Sequence, residues 1–166
     1  YTYHMNTLQQ LFDPLTIDLG LRLLVALALG MMIGMERVWA HKTAGMRTYA
    51  LVAMGSALFV VISEQVVKMY THMPGINPLH LVSNILVGVG FIGTGLIVTR
   101  DSKLMGLTSA TGLWVSAGIG MAVGFKLFGL AVIATALTLF IFIALWFIEH
   151  QLKKTSFFKE IPEEEN

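Results

Sequence analysis

Cysteine is absent from the 166 residues, which excludes a disulfide framework, a thiolate metal site and a cysteine nucleophile. The redox compartment is therefore unreadable. Charge is scarce as well: Asp, Glu, Lys and Arg make up 13% of the chain, about half the share of a soluble domain. A net charge of +1 provides no field to attract nucleic acid, and no basic run interleaved with aromatics suggests one. What fills the chain is apolar, 55% hydrophobic with a mean hydropathy of +0.73. This is a membrane composition, and its length suits one compact helical domain.

Catalytic signatures are missing too. There is no Gly-x-Ser-x-Gly, no Walker loop and no His-Glu-x-x-His, so a non-enzymatic protein is expected. His41, His72, His80 and His150 lack metal-ligand spacing. The carboxylates are too scattered for an all-protein magnesium cage. No metal site and no cofactor are expected, although magnesium keeps most of its water, which leaves a weak site at Glu36 or Glu64 open. The string Gly88-Val-Gly-Phe-Ile-Gly93 fits Gly-x-Gly-x-x-Gly but lies inside an apolar run, which rules it out as a nucleotide loop.

Crossing the hydrocarbon takes about 20 mostly apolar residues. Arg22 to Glu36 encloses 13 uncharged residues, so the first span must reach back to about Leu15, placing Asp18 and Arg22 four apart on one helix face. Arg47 to Glu64 encloses 16, and the second span continues to Val67. Pro74, Gly75 and Pro78 mark a loop before a third span from about Leu79 to Thr99. Lys103 to Lys126 and Lys126 to Glu149 each enclose 22, giving two more spans joined by a turn around Gly124 to Phe128. The expected fold is all-α, a polytopic bundle of five transmembrane helices over residues 15–150. Before it lies an N-terminal segment, 1–14. After it comes a charged tail, 151–166. The dipeptide His4-Met5 is what a common cloning junction encodes, so residues 1–4 read as a vector remnant.

Arg37, Lys42, Arg47, Arg100, Lys103, Lys153, Lys154 and Lys159 collect on one side, against Arg22, Lys68 and Lys126 on the other. The positive-inside rule then puts the N-terminus outside and the tail in the cytoplasm. Small residues give a second pattern. Thr108, Gly112, Ser116, Gly120 and Gly124 recur at every fourth position of the fourth span, the third carries Gly88, Gly90, Gly93 and Gly95, and the first two carry Gly30, Gly34 and Gly55. Such ridges let helix backbones approach where lipid supplies no hydrophobic drive, within the chain or in a homo-oligomer, with a dimer expected. A weak repeat aligns Gly34 and Gly45 with Gly95 and Gly106, at an offset of 61 residues. It reads either as a parallel duplication of helix pairs or as the ordinary frequency of glycine in membrane helices.

Two polar constellations stand out. Glu36, Arg37 and Arg47 sit at the cytoplasmic ends of the first two spans, either as a buried pair shaping a cavity or as interfacial residues snorkelling to water. Ser83, Asn84, Thr94, Thr108, Ser109, Thr111 and Ser116 supply hydroxyls and an amide along the third and fourth spans. They either line a path for a small solute or bond across helices and back to their own carbonyls.

The runs Gly34-Met-Glu36-Arg37, Ala44-Gly45-Met-Arg47-Thr48 and Leu51-Val52-x-x-Gly55-Ser-Ala-Leu-Phe59 resemble the signature of the MgtC/SapB family of bacterial inner-membrane proteins. Gly88-Val-Gly-Phe91-Ile-Gly93-Thr-Gly95 is similar to that family's glycine-rich span, and Gly106-Leu107-Thr108-Ser-Ala110-Thr111-x-x-Trp114 to its next block. The resemblance covers Leu15 to Gly124. It implies a multi-pass protein of the inner membrane that modulates other membrane machinery, notably the F-type ATP synthase, in adaptation to low magnesium or host stress, with virulence association. By the same resemblance Glu36, Arg37, Arg47 and Thr48 are the family's polar residues at the cytoplasmic end. Three departures, Asn77-Pro78 for Asp-Pro, Val115 where some members have cysteine, and no soluble C-terminal domain, suggest a shorter, SapB-like member. Asn84 stands where many members have glutamine. The competing expectation is a carrier for a cation such as magnesium or a small solute, with Glu36, Arg47, Asn84 and Thr108 along its path. A third is a scaffold in which the charges only set topology.

Overall fold

The computed structural model describes residues 13–69, 78–100, 103–148 and 151. The expected N-terminal segment up to residue 12, the Pro74-Gly75 loop and the charged tail after Gln151 lie outside the described residues. Five α-helices follow in order: α1 (Pro14–Trp39), α2 (Met46–Met69), α3 (Pro78–Thr94), α4 (Leu107–Gly124) and α5 (Phe128–Phe140). A two-stranded antiparallel hairpin, β1 (Val98–Arg100) and β2 (Lys103–Met105), joins α3 to α4. A π segment, Ile141–Leu145, prolongs α5. Among the described residues four helical stretches are long and apolar enough to cross a membrane: Pro14–Trp39, Met46–Met69, Leu107–Gly124 and Phe128–Ile148.

The third span is shorter than its apolar run suggests. α3 stops at Thr94, 17 residues long, so at 1.5 Å per residue it reaches about 25 Å, short of the roughly 30 Å hydrocarbon core. Leu96 N–H then donates to the Gly93 carbonyl and Ile97 N–H to Thr94, a tightened last turn that hands the chain to β1. Gly106 closes the hairpin with a left-handed φ of 85°, and a Cβ there would run into the Leu96 carbonyl. Only glycine meets both conditions without strain.

Two helix ends carry backbone closures. After α1, His41 N–H bonds Val38 and Lys42 N–H bonds Arg37; after α4, Lys126 N–H bonds Val123 and Leu127 N–H bonds Ala122. Both are Schellman closures, with His41 at φ 53° and Lys126 at φ 63° in the left-handed position that glycine usually takes.

α4 is the most buried of the spans, 67% against 22–39% for the other three long ones, and the rest is arranged around it. Its small-residue ridge faces α2. A Cβ on Gly120 would overlap the Ala53 carbonyl, and one on Gly124 would lie 2.7 Å from Val60 Cβ. The fully buried Ser116 donates from Oγ to the Tyr49 carbonyl at 3.1 Å. α1 meets α2 in the same way, with Gly30 against Tyr49 and Gly34 against Met46. A Cβ on Gly93 would make ordinary contact with Ala110, one on Gly55, Gly88 or Gly90 would meet nothing within 4 Å, and one on Gly95 would lie against carbonyls of α3.

At the end away from the β-hairpin, the three cations of the poorer side meet two acids. Arg22, 1% exposed, reaches Asp18 at 2.6 Å, Glu64 at 2.7 Å and the Gly124 carbonyl at 3.0 Å. Lys126 pairs with Asp18 and Lys68 with Glu64. One guanidinium thereby ties α1 to α2 and to the C-terminus of α4, whose helix dipole favours a cation.

Two stability outcomes follow for the protein in detergent or bilayer. Gly120→Val should wedge α4 off α2 and lower stability by about 3 kcal/mol or more, while Gly88→Ala should stay within about 0.5 kcal/mol; equal melting temperatures would contradict the seam. Arg22→Met should cost about 3 kcal/mol by breaking a buried charge network, against less than about 1 kcal/mol for Lys68→Met, as read in a chemical unfolding titration.

Candidate functional site

At the hairpin end, Arg37 is 3% exposed one residue beyond Glu36, and its Nε donates to Glu36 Oε2. The Arg37 guanidinium lies 3.6 Å from the centroid of the Phe142 ring, a desolvated cation–π contact. Phe142 belongs to the π segment and continues the buried stripe of Ala131, Thr135 and Thr138, while its neighbours Ile141 and Ile143 stay exposed. Behind it, Gly112 leaves the space: a Cβ there would meet Phe142 Cζ at 2.5 Å and the Tyr49 hydroxyl at 2.6 Å. The buried Tyr49 hydroxyl donates to the Ser109 carbonyl at 3.0 Å. One layer thus runs from Glu36 through Arg37, Phe142 and Gly112 to Tyr49 and Ser109, joining α1, α2, α4 and α5.

A cavity of about 520 Å³ opens beside this layer between α1 and the π segment, with Glu36, Lys42, Trp39 and Trp146 on its walls. A separate apolar groove of about 540 Å³ lies between α2 and α3, with Gly55, Gly88 and Asn84 in its lining.

The expected polar residues do not all gather. Glu36 and Arg37 form the pair, and it is Arg37 rather than Arg47 that holds the carboxylate. Arg47 is exposed at the start of α2, and Thr48 beside it is half-buried. Asn84 belongs to the distant groove. Thr108 and Thr111 are on the exposed side of α4, where Thr111 Oγ1 donates to the Thr108 carbonyl at 3.0 Å. Thr94 and Ser83 likewise bond their own helix, at Gly90 and His80. Of the hydroxyls in that constellation only Ser109 and Ser116 are buried, and both face the α2–α4 contact. Among the described residues no three His, Asp or Glu side chains come together as a metal-binding group.

Tyr49 and Phe142 fell outside both constellations. Tyr49 had a sequence signal, a phenol three residues into an apolar helix that must find a partner once buried. Phe142 had a faint one, standing at helical spacing from Ala131, Thr135 and Thr138, but it is one of many aromatics in an unbroken apolar run. A double-mutant cycle of Arg37→Met and Phe142→Leu should give a coupling of about 2 kcal/mol, whereas Arg47→Gln paired with Phe142→Leu should be additive. Additivity in the first cycle would dissolve the layer.

The sequence model of the MgtC family matches residues 23–151, which takes in all of α2 to α5 and the part of α1 that bears Glu36 and Arg37. YhiD of Escherichia coli (strain K12), whose name carries a provisional assignment to magnesium transport, is 38% identical over 130 residues, 76% of this chain and 60% of that protein. SrpB of Synechococcus elongatus is 40% identical over 132 residues, 74% of this chain and 72% of SrpB. Protein MgtC of Salmonella typhimurium (strain LT2) is 41% identical over 119 residues, 72% of this chain and 48% of MgtC. The chain therefore spans from about half to about three quarters of the length of these relatives. No solved structure matches. With a family match from residue 23 of α1 through the rest of the bundle, this multi-pass membrane chain belongs to the MgtC family.

Proposed function

We propose that the protein is a non-enzymatic inner-membrane module that acts in adaptation to low magnesium or host stress by docking onto other membrane machinery. The F-type ATP synthase is the partner the family resemblance puts first. The observation that carries this reading is the contrast between the α2–α4 seam and the α2–α3 groove. Along the seam a glycine ridge meets backbone and leaves no room for a solute. In the groove a Cβ on Gly55 or Gly88 would meet nothing within 4 Å, the open face a helix from outside the chain needs for close approach. Asn84 lines the same groove, and an amide facing hydrocarbon gains from a partner that bonds it. That helix is supplied by a second copy in a homodimer or by the regulated protein.

A second reading, a carrier for magnesium or another cation, is favoured by one observation, the Glu36 carboxylate on the wall of a roomy cavity, and by the magnesium in the name of YhiD. Flux separates the two. Proteoliposomes loaded with a magnesium-sensitive dye or a pH dye should stay tight; saturable flux that Glu36→Gln abolishes would replace the docking reading with the carrier. Because the chain has no cysteine, Gly88→Cys alone can report proximity in membranes. Its cross-linking to a second copy or another protein is expected, and Gly55→Leu on the same background should suppress it.

A further inference from the structure

The cavity beside the Glu36–Arg37 pair has apolar and aromatic walls that neither reading uses. Met32 and Met35 of α1 and Ile143 of the π segment form apolar walls, Trp39 and Trp146 stand at the rim, and Glu36 and Lys42 contribute one charge of each sign. Trp39 is 87% exposed and Trp146 53%. Tryptophans at helix ends mark the headgroup level of a bilayer, so the charged side of the cavity sits at headgroup depth, with the methionine and isoleucine walls below it among the acyl chains. The volume, about 520 Å³, falls within the roughly 300–1,000 Å³ of ligand sites.

We propose that this cavity binds one zwitterionic aminophospholipid, its ammonium at the Glu36 carboxylate, its phosphate on the Lys42 side and an acyl chain along Met32, Met35 and Ile143. The charge pattern selects the headgroup. Arg37 Nε holds Glu36 Oε2, and an ionised carboxylate accepts about four hydrogen bonds, so a primary ammonium adds to the pair without displacing Arg37. Phosphatidylglycerol brings the same phosphate to Lys42 but offers Glu36 only neutral hydroxyls in place of an ammonium, a weaker charge-assisted contact. A soluble zwitterion has no chain for the apolar walls. The Phe142 ring under Arg37 and the Ile143 wall of the cavity both belong to the π segment; π turns recur at functional sites. It lies between α1 and α5, apart from the α2–α3 groove, and stands or falls independently of the docking reading.

The test is lipid retention. Full-length protein is reconstituted in nanodiscs of equal phosphatidylethanolamine and phosphatidylglycerol, released into mild detergent and read by native mass spectrometry. Wild type should retain one phosphatidylethanolamine per chain with several-fold preference over phosphatidylglycerol. Glu36→Gln should erase that preference. Ile143→Trp fills the cavity from an exposed wall position without touching the ion pair, and it should lose most retained lipid while keeping the wild-type melting curve. Should Glu36→Gln fail to fold, Lys42→Gln and Ile143→Trp carry the test, with preference falling in the first and total retention in the second. Phosphatidylglycerol retained as well as phosphatidylethanolamine by wild type, or undiminished phosphatidylethanolamine on Ile143→Trp, would overturn the proposal.

Discussion

The backbones of α2 and α4 meet where Gly120 lies against the Ala53 carbonyl, and most of the bundle is positioned by that approach. In lipid, apolar side chains gain nothing by turning inward, so helices must be held by close packing and by hydrogen bonds across the contact. This seam supplies both. Glycines remove the Cβ atoms that would keep the axes apart, and Ser116 and Tyr49 use the resulting proximity to bond the facing carbonyls of Tyr49 and Ser109. α1 joins the same block through Gly30 and Gly34. Where these contacts end, at the outer faces of α2 and α3, the glycines stand open.

Among the described residues each end of the bundle carries one buried arginine, and the two are satisfied in different ways. Arg22 has two carboxylates and a helix-terminal carbonyl, a set of oxygens matching the directions of its fork. Arg37 has one carboxylate and an aromatic face. The first arrangement closes its end of the bundle by tying three helices with one side chain. The second leaves Glu36 on the wall of a cavity, and for that reason the hairpin end is where both the carrier reading and the lipid site are located. The family match begins at residue 23, just after Arg22, so the chemistry of the hairpin end lies inside it and the guanidinium of the other end just outside.

The positions of the long spans were legible because charge spacing and the thickness of a bilayer constrain them jointly. The pairing of Asp18 with Arg22 was legible for a similar reason, since four residues make one helix face. The third span was misjudged at its end. An apolar run to Thr99 does not reveal that Gly93 and Gly95 tighten the turn and that Val98–Arg100 pairs with Lys103–Met105. The polar constellation of α3 and α4 was also only half readable. A hydroxyl in an apolar run can bond a neighbouring helix or its own carbonyl four residues back, and helix rotation decides which. Ser116 took the first option and Thr94 the second.

By itself, the sequence determined that this is a membrane bundle, where its spans begin and end to within a few residues, which end carries most of its cations, and to which family it belongs, because composition, charge spacing and local motifs are properties of the chain in one dimension. Tertiary structure alone decided that Glu36 is held by Arg37, that Phe142 lies under that guanidinium, that Glu64 reaches Arg22 across two helices, and that some glycines are packed while others face open space. Those outcomes depend on how each helix is rotated about its axis, which is not fixed until the neighbouring helices are in contact.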